Sequence, residues 1–131
     1  MGEGGLNTTF LRGVQIPDSD GVVQFDTIFP GHYGSRASHM HLTTHGNATL
    51  LPNGTYTGGY ANHIGQLFFD QDLRDDVETT YPYTLNTQTP VANLDDMIAS
   101  DEATTAFDPI VRYTYLGEDL SGRIVTSDMS N

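Results

Sequence analysis

The sequence has no cysteine, no lysine and no tryptophan. Without cysteine there are no disulfides, thiolate metal sites or cysteine nucleophiles. Without lysine, the 17 acidic residues are opposed only by five arginines, and the formal charge is −12. That sign repels phosphate backbones and argues against nucleic acid as a partner. Long apolar runs are missing too, so a membrane span has nowhere to sit. What remains is 131 residues with seven tyrosines and six phenylalanines. This is the length of one domain (residues 1–131), with enough large side chains to bury a core.

Three Asn-x-Ser/Thr triplets begin at Asn7, Asn47 and Asn53, each a glycan acceptor on a secretory route. The opening Met1-Gly2-Glu3-Gly4-Gly5 has neither the basic nor the apolar region of a signal peptide. Either the protein stays inside the cell, or its natural N-terminus lies upstream.

Residues 1–7 read as a loose lead-in. Thr9–Ile16 suits a short strand. Pro17-Asp18-Ser19-Asp20-Gly21 is a turn, in which proline presets φ, aspartate caps its own backbone and glycine takes positive φ. Val22–Phe29 alternates as a half-buried strand, broken by Pro30-Gly31. His39–His45 alternates again, with His39, His41, Thr43 and His45 on one side and Met40 and Leu42 set to pack into a core on the other. Residues 46–60, rich in Gly, Asn and Thr, suggest a loop or open hairpin, and Ile64–Phe69 a further strand. Residues 70–80 are expected to hold a short helix capped by Asp70 or Asp72. A second helix is expected over 93–103, from the spacing of Leu94, Met97 and Ile98. Ile110–Leu116 is a last strand. The pattern points to an all-β antiparallel sandwich or barrel with minor helix.

The chemistry concentrates in Gly31-His32-Tyr33-Gly34-Ser35-Arg36-Ala37-Ser38-His39-Met40-His41. Two residues apart on a strand, His39 and His41 share a face and can bind one metal ion, although the same pattern also describes a polar strand face. Tyr33 can fold back over the start of that strand. A ferric ion favours the phenolate, and one anionic oxygen with two imidazoles suits Fe(III) but not a copper electron-transfer site, which needs thiolate. Alone, Tyr33 would read as a half-buried loop aromatic. Arg36 can stabilise charge on a bound substrate or form a surface ion pair. His32 reads as an exposed loop residue, with a supporting role towards a ligand as the alternative. His45 lies one pleat past His41 and is left outside the set, and His63 has no evident partner.

Three runs, Thr9-Phe10-Leu11-Arg12-Gly13, Asp18-Ser19-Asp20-Gly21-Val22-Val23-Gln24-Phe25 and Thr27-Ile28-Phe29-Pro30-Gly31-His32-Tyr33, resemble the signature of the intradiol ring-cleavage dioxygenases. Arg36, His39-Met40-His41 and Gly65-Gln66-Leu67-Phe68-Phe69-Asp70 extend the likeness. It runs in order from Thr9 to Tyr83, more loosely over Ile110–Gly117, and is nearest to the fungal, secreted branch.

The resemblance implies non-haem Fe(III) held by two tyrosines and two histidines. Tyr33 matches the second tyrosine, and His39 and His41 match the histidines. Arg36 matches the active-site arginine, catalytic and substrate-binding, and Gln66 a glutamine near the substrate. It also implies that a catechol-type diol chelates the iron as the second tyrosine leaves. Oxygen then inserts between the hydroxyl-bearing carbons to give a muconate-type diacid, a step of aromatic compound catabolism. The partners implied are a small aromatic diol and O2, with a homodimer as the candidate assembly and an extracellular location for the full-length protein.

The family's first tyrosine belongs upstream of Thr9, where this sequence has none, and the family's early strands have no counterpart. The expectation is therefore the C-terminal part of such an enzyme, with activity impaired or lost. Tyr56, Tyr60, Tyr81, Tyr83, Tyr113 and Tyr115 are assigned to core or loop packing. The competing readings are a non-catalytic β-sandwich module, and zinc or Fe(II) at the histidines with Asp26 or Asp70 as carboxylate.

Overall fold

In the computed structural model, residues 8–118, 120 and 124–127 are described. The lead-in over residues 1–7 and the glycan acceptor Asn7 lie outside them. The elements are β1 (His39–Leu50), β2 (Tyr56–Phe68), α1 (Gln71–Glu78), single 3-10 turns at Tyr83–Leu85 and Asn93–Asp95, α2 (Met97–Glu102), β3 (Arg112–Tyr115) and β4 (Ile124–Ser127). β1 pairs with β2 and β3 pairs with β4, the latter antiparallel with Arg112 opposite Ser127 and Tyr115 opposite Ile124. The class is all-β with two short helices, as expected. Among the described residues no helix is long and apolar enough to cross a membrane.

The chain packs as two compact units. One takes in the described residues up to Phe29 together with Thr43–His63, and the other takes in Pro30–Leu42 with the described residues from Ile64 onward.

In the first unit the Asp18 turn forms as expected. Asp18 Oδ1 accepts from the backbone N–H of Asp20 and of Val22, both at 2.9 Å, and Gly21 sits at φ 80°. The strands expected at Thr9–Ile16 and Val22–Phe29 do not form. An extended segment becomes a strand only when a neighbour takes up its N–H and C=O groups. Beyond the turn itself, the described residues supply no such ladder to these segments. Their apolar side chains stay in solvent, with Val22 58%, Phe25 49% and Ile28 58% exposed.

The glycine-rich stretch is a hairpin rather than a loop, because β1 runs on to Leu50 and β2 starts at Tyr56. Its tip closes through Leu51 N–H to Thr55 C=O at 2.7 Å. Gly59 makes the pairing feasible, since only glycine takes its backbone conformation without strain. It has φ +76° and lies so close to its neighbour that a Cβ there would sit 2.7 Å from the Gly46 carbonyl oxygen.

The second unit holds the core: Ala37, Phe68 and Ala99, with Ile98 and Ile110 packed on them. Phe68 is locked on both sides. Its N–H donates to Pro109 C=O and its C=O accepts from Val111 N–H, each at 2.9 Å, which bridges the end of β2 to the chain before β3.

Asp70 caps α1, accepting from Asp72 and Leu73 N–H at 3.0 and 3.2 Å, which satisfies two of the helix's orphan donors. The helix buries Leu73, Arg74 and Val77. Burial of a side chain the size of Leu73 or Phe68 contributes about 1.5–3 kcal/mol. Arg74 is 2% exposed. It donates to Gln71 Oε1 (3.1 Å), Asn93 Oδ1 (2.7 Å) and Val91 C=O (2.7 Å), tying α1 to the segment before α2.

The single helix expected over 93–103 is split. A 3-10 turn ends at Asp95, Asp96 is extended at ψ 117°, and α2 begins at Met97. Leu94 and Met97, whose spacing suggests the helix, are 93% and 70% exposed, whereas Ile98 and Ala99 pack inward. The break has a cause, since Asp96 leaves the helix path to cap α2 with its own side chain, as N-cap residues do.

Candidate functional site

The loop from Pro30 to Ser38 turns on Tyr33–Arg36. Arg36 N–H donates to Tyr33 C=O at 3.2 Å, and Ser35 takes φ 71°. The turn brings the Tyr33 ring back over the start of β1, with its hydroxyl 3.4 Å from His39 Nε2 and the rings edge to face at 5.6 Å. His39 Nε2 is also 3.2 Å from His41 Nε2. His39 Nδ1–H donates to Ala37 C=O at 2.7 Å. That bond fixes the tautomer and leaves the lone pair on Nε2. Backbone orientation of the remote ring nitrogen is how proteins aim a histidine at a metal.

Three donor atoms thus converge: the Tyr33 phenol oxygen, His39 Nε2 and His41 Nε2. Their separations are 3.2 and 3.4 Å. Such spacings suit ligands about 2.1 Å from one ion. Among the described residues no group of three or more His, Cys, Asp or Glu comes together. Of the two carboxylates in the zinc or Fe(II) alternative, Asp70 is engaged in capping α1.

The strand-face expectation needs correction. His39 is 8% exposed and packs on Phe68 at 5.6 Å, while Met40 and Leu42 are only half-buried. Burial lowers the His39 pKa, the hydrogen bond to Ala37 C=O opposes that, and the Arg36 and His41 charges reinforce it. These influences push the ring towards its neutral form, the form a metal ligand would need.

Arg36 is not a surface ion-pair residue. Its Nε–H donates to Asp96 Oδ2 at 2.8 Å, and Asp96 is 0% exposed. Its other two nitrogens donate to the Tyr33 oxygen at 3.3 Å and to Gln66 Oε1. Burial alone would lower the Arg36 pKa, but the Asp96 hydrogen bond and charge outweigh it and raise it. Gln66 is held in turn, its backbone N–H donating to Glu102 Oε1 at 3.2 Å. The two ends of α2 therefore each hold one polar group of the site. All five residues singled out from the sequence (Tyr33, Arg36, Gln66, His39 and His41) lie in the second unit and make this one network.

His32 is buried, contrary to the exposed-loop expectation. Nδ1 lies 2.6 Å from Glu78 Oε1 and Nε2 2.9 Å from Gln88 C=O, while Asn86 Nδ2–H donates to the His32 carbonyl at 2.9 Å. These bonds clamp the residue before Tyr33 to α1 and to residues 86–88. His45 pairs with Tyr56, its Nε2 3.1 Å from the phenol oxygen. Tyr60 and Tyr81 are 60% and 80% exposed and so lie outside any core, while Tyr113 and Tyr115 contact each other at 5.5 Å.

Sequence reasoning missed Asp96, Glu102 and Glu78. For Asp96 a signal existed, because Asp96 before Met97-Ile98-Ala99 is an N-cap pattern. Nothing local marks Glu102 or Glu78, whose partners are 36 and 46 residues away.

Two open clefts lie elsewhere. One, of about 450 Å³, runs past Thr9, Arg12 and Asn53, and the other, of about 400 Å³, past Asn93, Leu94 and Ala103. The donor cluster is in neither, and Tyr33 and His41 are open to solvent.

In this all-β chain a tyrosine and two histidines thus converge beside an ordered arginine. Comparison with solved structures narrows the fold. The chain is similar to an intradiol ring-cleavage dioxygenase from Tetranychus urticae, at 26% sequence identity and a TM-score of 0.63, over 83% of this chain and 46% of that one. The present chain thus spans less than half the length of that enzyme, and the likeness supports the intradiol family at the level of fold. No family profile matches the sequence, and no curated protein matches it.

Proposed function

We propose that this chain carries the iron-binding portion of a non-haem Fe(III) intradiol dioxygenase that opens catechol-type rings with O2 to muconate-type diacids. The observation that carries the reading is the convergence of Tyr33, His39 and His41 with Arg36 alongside, in a chain similar to such an enzyme. The donor set fits the ion, since one hard anionic oxygen and two neutral imidazoles suit ferric iron. When bound, ferric iron would make a chelated catecholate ring reactive towards O2. The chain's own residues orient and stabilise. His39 is fixed through Ala37, and Tyr33 would offer its phenol oxygen to the ion. Arg36 sets a positive charge beside that oxygen, and Gln66 holds the far edge of the guanidinium. A fixed cation so placed stabilises negative charge without reorganising.

The second reading, a non-catalytic module, is favoured by the openness of the site, with Tyr33 37% exposed. Visible absorption separates the two. After addition of ferric iron, a broad phenolate-to-iron band that moves on addition of catechol is expected, and Tyr33→Phe should abolish it. A colourless protein that loses its iron on dialysis would rule out the iron reading. Oxygen uptake with catechol then decides whether the bound metal turns over.

The fungal, extracellular assignment belongs to this proposal. For its extracellular part, Asn47 and Asn53 are exposed on the hairpin where a glycan could attach, and a mass shift on enzymatic deglycosylation of the natural protein is the check. A homodimer is proposed only as the assembly common to such enzymes, and light scattering tests it.

A further inference from the structure

We infer that Asp96 is the positioning residue of this site: it aims Arg36 at the position a bound aromatic diol would take, while its second oxygen starts α2. The inference rests on the reading of Arg36 as a substrate-facing group.

Asp96 is 0% exposed. A buried carboxylate persists only when its oxygens are fully engaged. Oδ2 accepts from Arg36 Nε–H at 2.8 Å and from Ala37 N–H at 2.7 Å. Oδ1 accepts from Ile98 N–H at 2.9 Å and Ala99 N–H at 3.2 Å. The division of labour is the point. Oδ1 would suffice for an N-cap, and Oδ2 is left for the loop that carries the site.

Guanidinium is planar with its donors in a fixed fork. Once Nε–H is anchored on Oδ2, the plane is set and the two terminal nitrogens must face elsewhere. They meet the Tyr33 phenol oxygen and Gln66 Oε1. The neighbouring Ala37 N–H on the same oxygen fixes the loop backbone between Arg36 and the histidines. Arg36 therefore arrives at the metal donors ordered, rather than as a flexible surface cation.

The experiment uses Asp96→Ser, because serine caps a helix about as well as aspartate but offers no carboxylate to Arg36. In the metal-free chain, NMR should show the Arg36 Nε–H as a resolved, slowly exchanging resonance. In D96S it should collapse into the averaged arginine signal while that of buried Arg74 stays resolved. In the ferric protein, D96S should keep its visible band and bind catechol about tenfold more weakly. Arg36→Ala should show the same loss, and adding D96S to it should cost nothing further. An Arg36 resonance unchanged in D96S, or unchanged catechol affinity with iron retained, would overturn the inference.

If the wild-type chain holds no iron, the proposed function fails, and the Arg36 resonance alone decides whether Asp96 positions it. If D96S does not fold, Asp96→Asn takes its place. It keeps an acceptor without the charge, and faster exchange at Arg36 Nε–H is then expected, while exchange as slow as in the wild type counts against the idea.

Discussion

Phe25 and Phe68 are the same side chain in two settings. Phe25, in the first unit, is 49% exposed, lies in a segment that forms no strand among the described residues, and has its ring beside Gly13. Phe68, in the second, is 0% exposed, has both backbone groups bonded across to residues 109 and 111, and carries His39 on its ring. Both segments read as strands from the sequence. What separates them is a partner: the side chain's transfer from water is realised only where backbone pairing holds a second surface against it. His39 and His41 are built on the second kind of segment.

Substitutions can break or sharpen that contrast. Phe68→Ala should cost about 3–5 kcal/mol, read as a fall in the urea midpoint, and should scatter His39 with it. Arg74→Met should cost about 2–3 kcal/mol in the same assay, since buried acceptors left without a donor are expensive. The acceptors stranded are those of Gln71, Asn93 and Val91. A smaller loss in R74M would show that water reaches that cluster.

A pH series addresses the anchoring of Arg36. Burial pushes the Asp96 pKa up, but the hydrogen bonds from Arg36, Ala37 and Ala99 outweigh it, and the net shift is below the ordinary value of 3.8. The unfolded chain therefore binds this proton more readily than the folded one. Its stabilising contribution is present above pH 3.8 and is lost as pH falls through the lower folded value. D96N should flatten the acid limb of a stability-versus-pH curve, and a limb of unchanged steepness would refute this. Phe25→Ser should be the mildest change, within about 0.5 kcal/mol.

Local signals were legible and distant ones were not. The Asp18 turn, the Asp70 cap, the His39-Met40-His41 strand and the reach of Tyr33 over it all depend on residues within a few positions, and chain chemistry specifies them. The strands expected at Thr9–Ile16 and Val22–Phe29 failed because periodicity states what a segment could bury, not what it is offered. The helix over 93–103 was broken by one side chain serving two masters, Asp96. The clamp on His32 required Glu78 and Gln88, which no spacing rule links to it. Within the candidate site the donors and Arg36 could be read from the sequence, but the groups that hold them still could not.

The burial of Arg74 has a practical consequence for handling the protein. With no lysine in the chain, trypsin can cleave only after its five arginines. Among the described residues, Arg12 and Arg112 are exposed, Arg36 is half-buried and pinned by Asp96, and Arg74 is sealed inside the second unit. Scission after Arg74 thus becomes a built-in gauge of opening. Its rate at a given protease concentration reports how often the second unit comes apart, and a ligand that tightens the site should slow that cut while leaving the cut after Arg12 untouched.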